Sequence, residues 1–153
     1  MEVSLNANMT DQATNRIGSV LRDAFKIIKK EISGDYGGTI QHLWIDFELI
    51  QSHAEQRPPW KFRYRKRVGG SVFKLTGSQT PLYENVGHYS VRPDFQKLLR
   101  IPLESVASYA LSLIYASTTV LIEKQKKLGG FEAQRFRGDF KSSCIKHGFL
   151  ISE

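Results

Sequence analysis

Residues 60–76 read Trp-Lys-Phe-Arg-Tyr-Arg-Lys-Arg-Val-Gly-Gly-Ser-Val-Phe-Lys-Leu-Thr. Trp60, Phe62 and Tyr64 alternate with Lys61, Arg63, Arg65 and Arg67, the period of two at which successive side chains leave opposite faces of a strand. Gly69-Gly70 stands where a two-residue hairpin turn needs positive φ at both central positions. Pairing Val68 with Ser71 sets Tyr64 opposite Leu75 and Arg65 opposite Lys74, so that an apolar side stays apolar and a basic side stays basic. The stretch is an antiparallel hairpin with one cationic face.

Upstream, beyond a polar loop carrying Pro58 and Pro59, the same period holds. Leu43, Ile45, Phe47 and Leu49 alternate with His42, Trp44, Asp46 and Glu48. Downstream, Gly87 to Arg92 supplies a further strand, ended by Pro93, with a short helical turn over Asp94 to Leu99. Helical spacing flanks these strands on both sides. Ala13, Ile17, Val20, Leu21, Ala24, Ile27, Ile28 and Ile32 form one stripe, with Thr10 as N-cap and Gly34 as stop. Pro102 opens a helix over Leu103 to Lys127, closed by Gly129-Gly130. Its apolar positions run nearly all round, which fits a core helix and leaves a homodimer interface as the alternative. A last helix over Phe131 to Lys146 places Phe136, Phe140 and Cys144 on one stripe. Residues 1–9 are expected to be a flexible start. The order predicts a single α+β domain over 1–153: a small antiparallel sheet of three to four strands, packed on one face by an N-terminal helix and two C-terminal helices.

Charge sharpens this reading. The net charge is +7. Seven cations and no acid fall between Arg57 and Lys74, while the other residues carry 15 cations against 15 acids. The whole excess therefore sits on the hairpin. Arg63, Arg65 and Arg67 would stand about 6.6 Å apart along one strand face. Such a row can meet an acidic protein surface or track a phosphate backbone. The same residues also fit an ordinary solvated face, with Asp46 and Glu48 on the adjacent strand pairing across to Arg63 or Arg65.

Other chemistry is poorly supplied. His42, Asp46 and Glu48 share a strand face but spread over about 20 Å, too far for one metal even with His53 and Glu55 added. No phosphate-binding glycine loop, nucleophile elbow or metalloprotease motif occurs, so no catalytic residue, metal or cofactor is assigned. Cys144, the single cysteine, cannot form an internal disulfide and reads as packing, although His147 lies one helical turn away. His88, Tyr89 and Arg92 are the most concentrated polar set outside the hairpin, and an enzyme reading would start there. The polar N-terminus lacks a secretory pattern and no apolar run suffices to span a membrane, so a cytoplasmic location without membrane association is expected.

The functional expectation is a non-enzymatic protein-binding module with an acidic partner. Its contact residues would be Lys61, Arg63, Arg65, Arg67 and Lys74, with Trp44 and Trp60 as anchors. Small bacterial binding proteins of this general form include immunity proteins that inhibit partner toxins, an analogy of fold alone. Nucleic acid on the same basic face is the alternative.

Overall fold

The computed structural model describes residues 1–9, 15–38, 41–49, 62–68, 71–78, 86–124 and 131–152; for 9, 62–68, 71–78, 86–90, 92, 95 and 119–124 it describes the backbone alone. The elements run β1 (Glu2–Met9), α1 (Asn15–Ile32), β2 (His42–Leu49), β3 (Phe62–Val68), β4 (Ser71–Ser78), β5 (Val86–Arg92), α2 (Phe95–Arg100), α3 (Leu103–Lys124) and α4 (Ala133–Lys146). The five strands form one sheet in the order β1-β2-β5-β4-β3.

The chain is α+β overall, but the sheet is not the expected antiparallel one of three to four strands. β1 pairs with β2 in parallel, and β2 pairs with β5 in parallel. Only β5-β4-β3 is antiparallel. The reason lies at the N-terminus, where residues 2–9 form a strand in place of a flexible start. A strand, an 18-residue helix and a second strand make a crossover unit, and a crossover returns the chain parallel to where it began. The hairpin itself has the register that its sequence dictates: Val68 faces Ser71, Tyr64 faces Leu75 and Arg65 faces Lys74. It extends the sheet outward through β4, which leaves β5 to lie against β2.

One sheet face is apolar. Val3, Leu5 and Ala7 of β1, Leu43, Ile45, Phe47 and Leu49 of β2, and Val91 of β5 all join the buried core. α1 covers them with Ile17, Leu21, Phe25, Ile28 and Ile32. The edge of Phe25 meets the ring of Phe47, with centroids 6.2 Å apart and planes at 78°, the arrangement that aromatic quadrupoles favour. Ile27, assigned to the stripe by spacing, is instead exposed, while Phe25 fills the place beside Leu21 and Ile28. Thr10 and Ala13 lie outside the described residues.

α3 lies in the core. Val106, Ala110 and Leu113 on one side and Leu111 and Ile114 on the other are all at most 1% exposed, so both sides are spent within one chain. Its hydroxyls are also employed. Ser117 donates to the Ile114 carbonyl and Thr118 to the Tyr115 carbonyl, each at 2.6 Å. Ser108 Oγ accepts from Leu150 N at 3.0 Å and Ser112 Oγ from Ser152 N at 2.9 Å, which holds the C-terminal tail along the helix. Among the described residues no helix is long and apolar enough to cross a membrane.

α4 packs on α1 and α3 through Phe136, Phe140 and Cys144. Polar ties fix its two ends. At its start the Tyr36 carbonyl accepts from Glu132 N at 2.7 Å, and at mid-helix the Tyr36 hydroxyl donates to Asp139 Oδ2, also at 2.7 Å, with its ring edge-on to Phe136 at 5.2 Å. At its end, Glu31 of α1 accepts from Ser143 Oγ at 2.7 Å, from His147 Nε2 at 2.6 Å and from Lys146 Nζ at 3.2 Å. A carboxylate only accepts, so His147 carries its proton on Nε2 in this contact. The His147 and Ser143 donors hold the Glu31 carboxyl well below its ordinary value of 4.5, at about 2. A depressed acid contributes stability above its unfolded value and loses it as pH falls toward the folded one. Glu31→Gln should therefore lower the urea midpoint at neutral pH, and the gap from wild type should close between about pH 4.5 and 2. Urea titrations of both proteins across that range check this; a gap independent of pH would dissolve the tie.

Candidate functional site

The second face of the sheet is polar. Ser4, Asn6 and Asn8 of β1 alternate with the buried Val3, Leu5 and Ala7, and register sets Ser4 beside Trp44, Asn6 beside Asp46 and Asn8 beside Glu48. A hydrogen-bonded patch spans the two strands. Ser4 Oγ lies 2.8 Å from His42 Nε2. Asp46 Oδ1 accepts from Asn6 Nδ2 at 3.2 Å and from the Trp44 indole N–H at 3.0 Å. The Trp44 ring also stacks on His42, with centroids 5.7 Å apart and planes at 19°.

Exposure changes sharply along this strand face. Trp44 is 43% exposed, whereas Asp46 and Glu48 are each 9% exposed. A burial this deep for an ionised side chain requires compensating donors, and Asn6 and Trp44 are two of those at Asp46. The consequence for Trp44 is orientation. An indole bonded at its nitrogen and stacked on one side has little rotamer freedom left, yet it still presents a large apolar surface to solvent.

The expected contact residues are distributed as follows. Trp44 lies in this patch. Arg63, Arg65 and Arg67 lie along β3 and Lys74 on β4, in register as Arg63 with Thr76, Arg65 with Lys74 and Arg67 with Val72. Trp60 and Lys61 lie outside the described residues. The rows continue across the sheet: Thr76 faces Ser90, which faces Asp46. The positions of Arg63, Asp46 and Asn6 thus belong to one row, and the cationic positions are on the polar side.

Two expectations about neighbours need correcting. Asp46 and Glu48 were to pair with Arg63 or Arg65 from an adjacent strand, but β5 and β4 stand between β2 and β3, a separation of about 14 Å at the usual strand spacing. The strand beside the carboxylates is β5, with Ser90 opposite Asp46. Next, His88, Tyr89 and Arg92 do not share a face. His88 is in register with Trp44 and Arg92 with Lys74, while Tyr89 is in register with the buried Ile45. Adjacent residues on a strand alternate faces, so the trio is divided by its own secondary structure.

Cys144 and His147 are committed to structure. Cys144 is fully buried and burial pushes its thiol up to about 12, far from the thiolate a nucleophile needs. His147, its neighbour one turn away, bonds Glu31. Among the described residues no three His, Cys, Asp or Glu side chains converge as metal ligands; His53 and Glu55 lie outside those residues.

Sequence reasoning missed Ser4, Asn6 and Asn8. The signal was there, since Val-Ser-Leu-Asn-Ala-Asn over residues 3–8 has the same alternation as β2. The chain matches no protein-family model, no curated protein and no solved structure.

Replacing Asp46 by Ala removes the acceptor of both the Asn6 amide and the Trp44 indole. The expected cost is about 0.5–1.5 kcal/mol for each of the two part-buried hydrogen bonds, with an upfield move of the Trp44 indole N–H resonance. Denaturant unfolding and a proton–nitrogen spectrum check both. An unmoved indole resonance would show that Asp46 does not orient the ring.

Proposed function

We propose that this chain is a non-enzymatic protein-binding module whose contact surface is the polar face of the sheet, centred on Trp44 and continued by the cations of β3 and β4. The observation that carries this reading is the state of Trp44. Its ring is 43% exposed, bonded to Asp46 and stacked on His42. An aromatic already held in one orientation loses little entropy on binding, which is what distinguishes interface anchors from ordinary surface residues. Around it the face offers donors and acceptors from Ser4, Asn6 and His42. Farther along, Arg63, Arg65, Arg67 and Lys74 would attract an acidic partner surface and set its orientation. An inhibitory or immunity-type role, in a cytoplasmic setting, is the form of protein binding we favour.

Nucleic acid is the second reading, and one observation favours it. An exposed indole on a strand, with cationic positions on the same side of the sheet, is a platform on which a base can stack. Asp46 weighs against it, since it holds a carboxylate against the ring that a polyanion would approach, with Glu48 two residues farther along the same strand. A protein partner can answer that local sign change with its own donors; a phosphate backbone cannot.

The test is affinity capture with the whole chain as bait, with and without nuclease, repeated with Arg63→Glu/Arg65→Glu/Arg67→Glu and with Trp44→Ala. Loss of one stoichiometric, nuclease-resistant protein in both folded variants is the expected result. Trp44→Ala should weaken that pair by about 2 kcal/mol or more, the range of an anchor residue. Retained binding by both folded variants would overturn the reading. Nuclease-sensitive capture, with affinity falling steeply in salt, would replace it with the nucleic-acid one.

A further inference from the structure

The sheet ends in two edges of opposite character. β3 carries Arg63, Arg65, Lys66 and Arg67 along its length, the charged edge by which sheets discourage pairing with other strands. β1 has no such guard. Its sequence, Glu-Val-Ser-Leu-Asn-Ala-Asn-Met, contains no cation and no proline, and its single charge is at the first position.

The outward backbone of β1 can be identified. Glu2 N donates to Gln41 O at 2.8 Å, so the even residues direct their amides and carbonyls to β2. The odd residues face away, and Val3 N accordingly bonds Ser33 Oγ at 3.0 Å. Leu5 and Ala7 are the next two outward residues, and no described strand pairs with that side. A groove of about 530 Å³ runs beside them, lined on one side by Arg22, Lys26 and Lys29 of α1 and reaching round Asn6 and Asn8 to Trp44 and Asp46 on the other. These three cations recur at helical spacing on one face. They span about 10 Å of helix, the length of about three strand residues. None of them is in an ion pair with a described residue.

We infer that the β1 edge takes an additional strand from a partner protein, an extended segment with acidic residues at alternate positions. The main chain of that segment would bond Leu5 and Ala7, as in strand addition generally. Its two faces would meet different chemistry. The side toward α1 meets Arg22, Lys26 and Lys29 and selects carboxylates; the side toward the polar face meets the amides of Asn6 and Asn8. Charge decides against a second copy of this chain, because pairing β1 with β1 would bring two such cation sets together. The groove adjoins the Trp44 patch at Asp46, but strand addition at β1 does not use the β3 and β4 cations and is tested independently of them.

The probe is a fluorescent peptide the length of β1 that alternates Glu with Thr, compared with a Lys-Thr peptide of the same design. Anisotropy titration of the full chain should show binding of the Glu peptide alone, and hydrogen exchange should slow at the amides of Leu5 and Ala7. Arg22→Glu/Lys26→Glu/Lys29→Glu alters helix positions that bear on packing little. It should weaken the Glu peptide on the order of tenfold, the sum of three exposed ion pairs, and should gain binding of the Lys peptide. Arg63→Glu/Arg65→Glu/Arg67→Glu should leave the affinity unchanged. Absence of binding, equal affinity for both peptides, protection elsewhere than β1, or a wild-type dimer paired through β1 would each overturn the inference.

Discussion

The parallel pairing of β1 with β2 organises the rest of this structure. It runs in unbroken register from Glu2 beside His42 to Met9 beside Leu49. That register fixes which residues face the helices: Val3, Leu5 and Ala7 join Leu43, Ile45 and Phe47 under α1. It fixes the opposite face as well, because the residues left over are Ser4, Asn6 and Asn8. A slip of one position would bury three polar side chains against Phe25 and Ile28 and turn Leu5 outward. Core packing and the hydrogen bonds around Asp46 thus depend on the same alignment, one from each side of the sheet.

Much of this was legible. The hairpin register could be written down from Gly69-Gly70 and the alternation on either side, because turn chemistry and side-chain period agree there. The helices read from apolar spacing and terminal Gly or Pro between Thr10 and Gly34, over Leu103 to Lys127 and over Phe131 to Lys146 correspond to Asn15–Ile32, Leu103–Lys124 and Ala133–Lys146 among the described residues. Sheet order was not legible for a specific reason. Period two identifies a strand but carries no information about its neighbour, and residues 1–9 read as a flexible start although four polar residues alternate there with four apolar ones. Without β1 there is no crossover, and without a crossover every pairing defaults to antiparallel. The misplacement of Asp46 and Glu48 beside the hairpin follows from that one omission.

The candidate site was legible in part for the same reason. Trp44 stood out as a large aromatic on the noncore side of a strand, and Arg63, Arg65, Arg67 and Lys74 stood out by charge. Asn6 did not, since an asparagine near a terminus has no distinctive pattern. Its role comes from standing opposite Asp46, a relation between residues forty positions apart.

The face is graded rather than uniform. From β1 to β3 it runs from neutral amides, through a tryptophan between His42 and Asp46, to the three arginine positions of β3. A sheet edge needs protection, and cations on β3 supply it whatever else they do. That role does not explain Trp44, which lies three strands from that edge. Nor does core packing, since its ring stands on the side away from the helices. Edge protection therefore covers the arginines, while Trp44 serves the sheet through its indole N–H to Asp46 and still leaves its ring 43% exposed. The proposed recognition surface therefore rests more on the orientation that Asp46 and His42 impose on this ring than on the charge excess.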